Sequence, residues 1–423
     1  MLKIDDRYYS REMVDSALED LAVWLDAQSF PISRLAVCTG DVFDWLLLVL
    51  HCRRRGLSLV PIHAETPAAT AREKAGKMRC DALWWQDKSG LLPLSGAGRA
   101  ASGALIQMSS GTTGEPKMVE RSWREIEREI AAYNVRLNLE ASVTPVVACS
   151  ITHSYGLICG VLAALARGSA PHIITSWNPK YVLRILAAYP RPLLYSAPAF
   201  IYSLVQLLPE ERRIYGVMTS GTSLPAHWFL AIRRKVDLLL QQYGCSEAGC
   251  ICVARDPEAA NVIGRPLPHL QMKLDPGSPS EKYPPVGELL VQLPEKIVRT
   301  QDLVYQNEAG EWVFCSRMDD TIIVSGMNVF PAEVEEVLQG IPGVREVVVF
   351  RQADDLAGQR VAAVYRADRP ITDVEMRTWC ARSLPSHQWP SHWWRASHIP
   401  KLANGKISRR LLAEYNWQEA VAG

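Results

Sequence analysis

The feature that most constrains the fold is a regular alternation of helical and strand patterns between about residues 11 and 242. Amphipathic segments such as Arg11–Gln28 predict helices, and short apolar runs such as Arg34–Cys38 and Leu193–Ser196 predict buried strands between them. Alternation of this kind is typical of mostly parallel sheets that are flanked by helices. The predicted fold class is therefore α/β.

The sequence pattern changes twice after this region. From about residue 261, glycine, proline and short strand patterns dominate, which indicates a small β-rich subdomain. After Ser316, two short helical patterns, Pro331–Leu338 and Thr372–Ser383, flank the strand pattern Val344–Arg351, which predicts a small α+β domain. We therefore expect a large N-terminal domain over residues 1–316, a boundary segment at residues 317–320 and a small C-terminal domain over residues 321–423.

Composition excludes several classes of protein. The 46 basic and 45 acidic residues give a formal net charge of +1. A protein that coats nucleic acid or carries an acidic tail would have a much larger excess of one sign of charge. Ten cysteines in 423 residues do not indicate a disulfide scaffold. Apolar runs such as Trp45–Leu50 are too short to span a bilayer, and no secretory signal is visible. We expect a cytoplasmic protein without nucleic-acid or membrane partners; composition leaves the oligomeric state open.

A short segment rich in glycine and hydroxyl side chains follows the strand pattern Ala104–Met108. Its backbone N–H groups, hydroxyls and lysine can surround a polyphosphate. It differs from a Walker A loop, because Pro116 precedes the lysine and a strand pattern rather than a helix follows. The candidate phosphate-binding residues are Ser109, Ser110, Gly111, Thr112, Thr113, Gly114 and Lys117.

Unusual residues also follow four of the predicted buried strands. In open α/β sheets, ligands bind at the carboxyl ends of the strands, so residues there are candidates for a binding site. These positions are His153 with Tyr155, Ala197-Pro198, Ser220-Gly221 and Tyr243-Gly244. Four strand ends that converge are stronger evidence than any one of these residues.

The glycine-rich segment resembles the phosphate-binding signature of the adenylate-forming superfamily, which comprises acyl- and aryl-CoA synthetases, adenylation domains of nonribosomal peptide synthetases and luciferases. Further segments resemble other motifs of this family, in the family's order and across nearly the whole chain. They are Tyr243–Glu247, Thr300–Asp302, Arg317–Asp320, Ser325–Asn328, Pro331–Glu335 and Pro400–Lys406. The resemblance implies a small mobile C-terminal domain. It also implies a shortened first part of the large domain, because less chain precedes the glycine-rich segment than in typical members.

The resemblance implies that the cofactors are ATP and Mg²⁺. Tyr243 would stack on the adenine, and Asp302 would accept hydrogen bonds from the ribose hydroxyls with Arg317 beside it. Glu247 would be a catalytic residue and the Mg²⁺ ligand, since Mg²⁺ binds one or two carboxylates together with phosphates. The other nucleotide-binding residues that the resemblance implies are Ser220, Gly221, Thr222, Gly244, Cys245 and Ser246.

The resemblance also implies that residues 317–320 form a hinge, and it implies roles for Asp319 in this hinge and for Lys406 after it. Lys406 would reach across from the small domain and bridge the substrate carboxylate and the α-phosphate. A cation there stabilises charge that develops during an in-line displacement. The small domain would then rotate about Asp319 for the second half-reaction, in which a thiol displaces AMP.

The segment Ser150–Gly156 resembles the family segment that borders the acyl pocket, so His153 is a candidate catalytic and pocket residue. This segment lacks the aspartate that binds the α-ammonium group in amino-acid-activating members. It also lacks the asparagine of many ortho-hydroxybenzoate activators, so we expect an acid without an α-amine, either aryl or fatty. The expected pocket residues are His153, Tyr155, Ala199, Phe200, Thr222 and Gly244.

We therefore predict an ATP-dependent, AMP-forming carboxylic acid ligase that transfers the acyl group to the phosphopantetheine thiol of coenzyme A or of an acyl or aryl carrier protein. By analogy, such an enzyme fits a role in secondary metabolite biosynthesis. Gln301, which replaces the usual glycine before Asp302, and the shortened N-terminal region motivate an alternative, a degenerate nucleotide-binding or regulatory protein. An NAD-dependent oxidoreductase rests only on Gly96–Ala101, a loose dinucleotide fingerprint that precedes a strand rather than a helix.

Two clusters have structural interpretations. Cys245, Cys250 and Cys252 lack the paired spacing of zinc ligands and are predicted to be free thiols. The tryptophans between residues 389 and 394 are predicted to pack the small domain rather than to stack on RNA.

Overall fold

The computed structural model describes residues 2–95, 103–109, 117–221, 224–276, 285–354, 358–401 and 407–417. Its strands in chain order are β1 (Leu2–Ile4), β2 (Arg7–Tyr9), β3 (Arg34–Cys38), β4 (Ser58–Pro61), β5 (Ala82–Trp85), β6 (Leu91–Pro93), β7 (Ala104–Ser109), β8 (Lys117–Ser122), β9 (Thr144–Val147), β10 (His172–Ile173), β11 (Pro192–Ser196), β12 (Ile214–Thr219), β13 (Val236–Cys245), β14 (Gly249–Arg255), β15 (Val262–Pro266), β16 (Gln271–Pro276), β17 (Gly287–Gln292), β18 (Ile297–Gln306), β19 (Trp312–Arg317), β20 (Ile322–Val324), β21 (Met327–Val329), β22 (Val344–Asp354), β23 (Gly358–Ala367) and β24 (His392–Arg395).

The α-helices in chain order are α1 (Arg11–Asp26), α2 (Val42–Arg55), α3 (Ala68–Lys77), α4 (Trp123–Leu137), α5 (Ala163–Ala166), α6 (Pro179–Ala187), α7 (Pro198–Gln206), α8 (Ala226–Lys235), α9 (Pro331–Gln339), α10 (Asp373–Cys380) and α11 (Arg409–Glu414). A π-helix, Tyr155–Leu162, runs directly into α5. None of the helices in the described ranges is long and apolar enough to cross a membrane.

Two sheets with their helices form the N-terminal part of the chain. Within the described residues, the larger sheet has 13 strands in the order β16-β17-β18-β19-β15-β14-β13-β12-β11-β9-β10-β1-β2. Its centre, from β13 to β1, is parallel, and antiparallel strands extend it on both sides. The smaller sheet has the order β6-β5-β3-β4-β7-β8. The predicted α/β class, with a large N-terminal part and a small C-terminal domain, is confirmed.

The β-rich region after residue 261 extends the large sheet rather than forming a separate one, because β15 pairs with β14 on one side and with β19 on the other. β18 lies in this region between β17 and β19, and the sequence patterns did not predict it. Its buried face carries Thr300 and Asp302 as well as Val298 and Val304. The two polar side chains interrupt the apolar alternation on which strand prediction depends.

Local sequence signals define the start of α4 and the end of α2. α4 begins with a capping box, in which Ser122 Oγ accepts the Glu125 N–H at 3.2 Å and the Glu125 carboxylate accepts the Ser122 N–H at 2.7 Å. α2 ends at Gly56, which has a left-handed φ of 66°. The buried Trp45 of α2 donates its indole N–H to the Ile151 carbonyl at 2.8 Å. This bond connects the helical layer to the segment that precedes the π-helix.

The C-terminal domain packs α9 and α10 against a sheet in which β22 and β23 form a long antiparallel pair. Trp389 and Trp393 pack against its buried cluster, and Trp394 stacks on Phe350 with ring centroids 6.2 Å apart. The predicted packing role of these tryptophans is confirmed. The boundaries at residues 316 and 321 stay predictions, and Arg317 itself is the last residue of β19.

Candidate active site

A β-hairpin flanks the glycine-rich segment, because β7 ends at Ser109, β8 begins at Lys117, and these two residues are partners in the antiparallel register. Lys117 is exposed. Five of the predicted phosphate-binding residues lie outside the described part of the chain, namely Ser110, Gly111, Thr112, Thr113 and Gly114. The hairpin brings the two ends of the segment together, whereas phosphate binding by the segment stays a prediction.

The carboxyl ends of β9, β11, β12 and β13 lie side by side, because these strands are parallel neighbours in the large sheet. The segment after each strand, or the end of the strand itself, carries a predicted site residue, namely His153, Ala199, Ser220 and Gly244. The tertiary structure therefore gathers the four predicted strand ends at one edge of the sheet.

Three of the predicted nucleotide-binding residues form one polar cluster at this edge. Tyr243 at the end of β13 donates its hydroxyl to Oδ2 of Asp302 on β18. Arg317 on β19 faces Asp302 in the antiparallel register, and its Nη1 lies 3.2 Å from Asp302 Oδ1. This ion pair lacks hydrogen-bond geometry, and within the described residues Oδ1 has no hydrogen-bond partner although it is buried. Asp302 therefore retains a buried acceptor atom beside a guanidinium group.

Burial dominates the electrostatics of this cluster. It raises the pKa of the Asp302 carboxyl above its ordinary value, although the Tyr243 hydroxyl and the Arg317 guanidinium oppose the shift. Burial also raises the pKa of Tyr243, and the neighbouring negative charge of Asp302 adds to that shift. The Tyr243 hydroxyl is therefore a neutral donor, and each further hydrogen bond that Asp302 accepts would stabilise its ionised form against the effect of burial.

Gln301, beside this cluster, has a left-handed backbone conformation with φ of 59°. This explains why glycine is the usual residue at this position of the family, since glycine adopts positive φ without steric cost. Two backbone hydrogen bonds hold Gln301: its N–H donates to the Glu288 carboxylate at 3.1 Å, and its carbonyl accepts the Met318 N–H at 2.8 Å. These two hydrogen bonds hold Gln301 in a conformation that glycine adopts more readily.

Glu247, the predicted Mg²⁺ ligand, lies in the turn formed by residues 246–248 between β13 and β14. Its side chain is half-buried. No group of three or more metal-binding side chains exists in the described part of the chain. One carboxylate on a turn fits Mg²⁺, which often takes one or two protein carboxylates and completes its shell with phosphates and waters.

All the cysteines of the described chain are free thiols, as predicted for Cys245, Cys250 and Cys252. Burial, followed by the charge of Glu247, raises the pKa of Cys245 to about 12. The thiol beside Glu247 is therefore neutral at physiological pH and does not supply a competing thiolate ligand.

The helix predicted after His153 begins as a π-helix, Tyr155–Leu162, rather than as an α-helix. π-helical turns are frequent at functional sites because the extra residue per turn redirects a side chain. The Tyr155 hydroxyl donates to the Met218 carbonyl at 2.6 Å and lies 3.3 Å from the Ser196 carbonyl. Tyr155 thus connects the ends of β11 and β12, whereas His153 is exposed at the start of this segment.

Sequence analysis missed Gln107, which connects the glycine-rich hairpin to the His153 segment. Its side-chain amide donates to the Thr152 carbonyl at 3.0 Å, and its carbonyl oxygen accepts the Ser154 hydroxyl. The signal that the sequence offered was a single polar residue within the otherwise apolar run Ala104–Met108, and the structure shows that this side chain is half-buried.

The predicted pocket residues on α7 lie at its N-terminal end, where Ala199 is exposed and Phe200 is half-buried. Sequence analysis also missed Trp177, whose ring packs edge-on against Phe200 with centroids 5.5 Å apart. Gly221, after β12, has a positive φ of 93° and open space at its Cβ position. Thr222 lies outside the described residues.

The hinge segment is held by ion pairs on both sides. Asp319 Oδ1 lies 3.1 Å from Arg317 Nε, so the predicted hinge residue contacts the polar cluster of the large domain. The next residue, Asp320, pairs with Arg409 Nη1 at 3.1 Å, and Arg409 also binds Glu335 with an Nη2–Oε1 distance of 2.9 Å. The segment predicted as the hinge is therefore joined by an ion pair to Arg409 of α11, which in turn pairs with Glu335 of α9.

Lys406, the predicted catalytic lysine, lies outside the described residues. On its N-terminal side, Lys401 pairs with Glu346 of β22 at 2.9 Å. On its C-terminal side, Arg409 anchors α11 as described above. The role of Lys406 stays a prediction.

Comparisons with known proteins agree with this architecture. The sequence signature of the AMP-binding enzyme family matches residues 86–295, and that of the AMP-binding enzyme C-terminal domain matches residues 333–406. A 3,4-dihydroxybenzoate–[aryl-carrier protein] ligase from Bacillus anthracis is 37% identical over 413 residues, which cover 97% of this chain and 98% of that protein. A 2-succinylbenzoate–CoA ligase from Enterococcus faecalis is 24% identical and covers 72% of this chain and 68% of its own length.

Solved structures share the fold at low identity. ATP-bound MatB from Rhodopseudomonas palustris superposes with a TM-score of 0.84 at 18% identity, covering 98% of this chain and 95% of that chain. O-succinylbenzoate coenzyme A synthetase (MenE) from Bacillus subtilis, in complex with ATP and magnesium, superposes with a TM-score of 0.81 at 19% identity, covering 97% and 96%. The near-full-length relative at 37% identity and the two family signatures, in the order that the sequence motifs predict, lead to one conclusion: this chain belongs to the family of AMP-binding, adenylate-forming enzymes.

Proposed function

We propose that this enzyme uses Mg·ATP to activate an aryl carboxylic acid as an aryl-adenylate and then transfers the aryl group to the phosphopantetheine thiol of a carrier protein. The observation that carries the proposal is the 37% identity, over 97% of this chain, to a relative named as a 3,4-dihydroxybenzoate–[aryl-carrier protein] ligase. The more distant relatives include CoA ligases, so coenzyme A is the second candidate acceptor.

The polar cluster of Tyr243, Asp302 and Arg317 supports a nucleoside site. Asp302 Oδ1 is a buried acceptor without a hydrogen bond in the described residues, and two ribose hydroxyls would supply the donors that it lacks. Tyr243 is half-buried beside it and offers an aromatic ring to the adenine. Ser220 and Gly221, at the adjacent strand end, would contribute backbone groups to the same base.

The two hairpins support a polyphosphate site. Lys117 would contact the phosphates from the start of β8, together with the glycine-rich segment that begins at Ser109. Glu247 would hold Mg²⁺ on the turn between β13 and β14, in the way that Mg²⁺ combines a protein carboxylate with phosphate oxygens. When bound, the ion would neutralise charge on the phosphates and favour departure of pyrophosphate.

The chemistry has two half-reactions. An oxygen of the substrate carboxylate forms a bond to the α-phosphorus while the bond from the α-phosphorus to the bridging oxygen breaks, which releases pyrophosphate and leaves an aryl-AMP anhydride. Lys406 would stabilise the charge that develops in this step. The thiol then loses its proton to solvent or base, its sulfur forms a bond to the acyl carbon, and AMP leaves. Rotation of the small domain about Asp319 would exchange the two active arrangements.

The residues at the strand ends support an aromatic rather than a fatty acid. Tyr155, Phe200 and Trp177 provide flat side chains near the ends of β11 and β10, and an aryl ring packs well against such faces. The alternative of a degenerate nucleotide-binding protein is not favoured, because the relative that is 37% identical over 97% of this chain is named as a ligase.

Acid-dependent release of pyrophosphate from Mg·ATP tests the proposal. The panel contains hydroxylated benzoic acids, including 3,4-dihydroxybenzoic acid, together with cinnamic, fatty and amino acids, and hydroxylamine turns over any adenylate. We expect release with one or more benzoic acids and none with amino acids. Mass spectrometry then measures transfer to a phosphopantetheinylated carrier protein and to coenzyme A. Release with fatty acids alone contradicts the aryl assignment, and transfer to coenzyme A alone contradicts the carrier-protein assignment.

A further inference from the structure

Two charged side chains, Arg121 of β8 and Glu129 of α4, form an ion pair inside the N-terminal domain. Their side chains are only 5% and 1% exposed. Burial of an ion pair carries a large desolvation cost that the attraction between the charges often does not exceed. Stability alone therefore does not explain why the pair lies here, and neither residue belongs to the nucleotide or acid site described above.

The pair contacts a third element, β14, at its first residues. Glu129 Oε1 accepts the Cys250 backbone N–H at 2.8 Å. Gly249, with φ of 75°, lies directly against the pair: a Cβ atom there would be 2.4 Å from Glu129 Oε2 and 2.5 Å from Arg121 Nη1. Only glycine combines this backbone conformation with so close an approach.

Two of the three elements that meet at the pair, β8 and β14, lead to the proposed polyphosphate site. β8 begins at Lys117, four residues before Arg121, and the capping box at Ser122 fixes the start of α4 immediately after it. β14 begins at Gly249, directly after the turn that carries Glu247. The ion pair is therefore an anchor shared by the lysine-bearing strand and the glutamate-bearing turn.

The hairpin of β13 and β14 does not fix this turn alone. Its register shifts between Tyr243 and Gly244, and such an irregularity bends a strand and interrupts the ladder of hydrogen bonds. Glu129, by accepting the Cys250 N–H from outside the hairpin, supplies a fixed point on the far side of the turn.

We infer that Arg121 and Glu129 are positioning residues, which hold the Glu247 turn at a fixed distance from the strand that begins at Lys117. The inference rests on the proposed function, in which Lys117 and Glu247 contact Mg·ATP. The pair then determines affinity for the Mg²⁺–polyphosphate part of the nucleotide and has no influence on the nucleoside part, which binds to Asp302 and Tyr243.

The first experiment compares Glu129→Gln with Asp81→Asn. Asp81 is also a buried carboxylate that accepts backbone N–H groups, from Ser33 at 2.9 Å and Arg34 at 2.8 Å, and it takes no part in the proposed site. Calorimetry measures the Kd of ATP with and without Mg²⁺ and the Kd of adenosine. For Glu129→Gln we expect Mg·ATP affinity to fall about 10-fold or more, as for residues that orient metal ligands, with adenosine affinity unchanged. Asp81→Asn leaves all these values as in the wild type.

The second experiment leaves both charged side chains in place and shifts them with an added methyl group. Gly249→Ala places a methyl group against Arg121 and Glu129, whereas Gly168→Ala is a control with nearly the same φ, 78°, and nothing within 4 Å of its Cβ position. Both variants carry the same backbone strain, so both lose thermal stability. Only Gly249→Ala is expected to weaken Mg·ATP binding. It also tests the inference if Glu129→Gln does not fold.

Three results would bear on the inference in different ways. Glu129→Gln and Gly249→Ala proteins that unfold at lower temperature but bind Mg·ATP like the wild type would overturn it, because the pair would then be structural only. An equal loss of adenosine and Mg·ATP affinity would overturn it as well. In a third outcome, the variants lose Mg·ATP affinity as expected, but the wild type releases no pyrophosphate with any acid. This result would support the positioning role and contradict the proposed ligase activity.

Discussion

Asp302 and Arg317 face each other across β18 and β19, with Arg317 Nη1 3.2 Å from Asp302 Oδ1. Tyr243, which is 59 residues before Asp302 in the sequence, donates its hydroxyl to the other oxygen of the same carboxylate. Three motifs that are separate in the sequence therefore meet at one buried acidic group.

Substitution Asp302→Asn is expected to weaken binding of AMP and adenosine by about 10-fold to 100-fold, since a hydrogen bond to a charged group contributes about 1.5–3 kcal/mol. One of the two accepting oxygens becomes an NH₂ group, so the amide cannot accept from Tyr243 on one side and from the ribose hydroxyls on the other, and it loses the ion pair with Arg317. Calorimetric Kd values check this. Asp275→Asn is the matched control, because Asp275 pairs with Arg299 in the same sheet but outside the cluster. Wild-type affinity in Asp302→Asn would remove this residue from the nucleotide site.

Adenosine affinity is expected to fall on acidification. The fall should begin at a higher pH than it would if Asp302 had the ordinary pKa of an aspartate, because burial raises the pKa of Asp302. The ionised carboxylate is the form that accepts both hydroxyls. Stability responds in the opposite direction: a raised pKa in the folded state means that protonation of Asp302 favours folding, and this contribution disappears as pH rises through the raised pKa.

Paired titrations of the wild type and Asp302→Asn measure both effects. Adenosine replaces AMP as the probe because it has no phosphate to titrate. The difference in adenosine affinity between the two proteins should narrow at acid pH, and the stability of the wild type relative to the variant should rise there. A difference that is constant with pH would show that Asp302 does not titrate in this range.

Substitution Gln301→Gly is expected to stabilise the protein by about 0.5–1 kcal/mol. Relief of a left-handed conformation at a non-glycine residue gains about 1–2 kcal/mol, and the greater freedom of glycine in the unfolded chain costs about 0.5–1 kcal/mol. Chemical denaturation measures the change. Gln292→Gly, at a strand position of β17 without positive φ, is the control and should lose stability. If both variants lose stability to the same extent, the strain at Gln301 is negligible.

Substitution Lys406→Ala is expected to abolish acid-dependent pyrophosphate release and to spare thioester formation from supplied aryl-AMP. In the proposed mechanism the lysine would stabilise charge in the first displacement only, because the small domain would rotate before the thiol attacks. Lys401→Ala is the control, since Lys401 belongs to the same C-terminal motif but pairs with Glu346. Equal loss of both half-reactions in Lys406→Ala would contradict this division of labour.

The sequence predicted the elements whose signals are local. The helices predicted at Arg11–Gln28 and Pro331–Leu338 are present as α1 and α9. The capping box of Ser122 with Glu125 is an equally local signal, but α4, which it begins, was not predicted. The alternation of helices and strands predicted the α/β class, and the ordered motifs predicted the family. These signals depend on neighbours along the chain, or on a resemblance that extends over nearly all of it.

Contacts between distant segments could not be predicted. The bond from Glu129 to the Cys250 N–H joins residues 121 positions apart, and the bonds of Gln107 join the glycine-rich hairpin to a segment about 45 residues later. No periodicity encodes such a partner, because the polarity of one residue does not specify which backbone group it will meet. The π-helix at Tyr155–Leu162 was missed for a related reason: its apolar pattern is compatible with an α-helix, and packing decides the extra residue per turn.

The sequence by itself determined the fold class, the family and the residue types available for nucleotide chemistry, because short-range periodicity and ordered motifs carry that information. Only the tertiary structure decided that Asp302 lies buried between Tyr243 and Arg317, and that Gly249 rests on the Arg121–Glu129 pair. The physical reason is that burial and charge pairing arise when sheets and helices pack. The free energy of a carboxylate depends on which groups surround it, and that surrounding exists only in the folded chain.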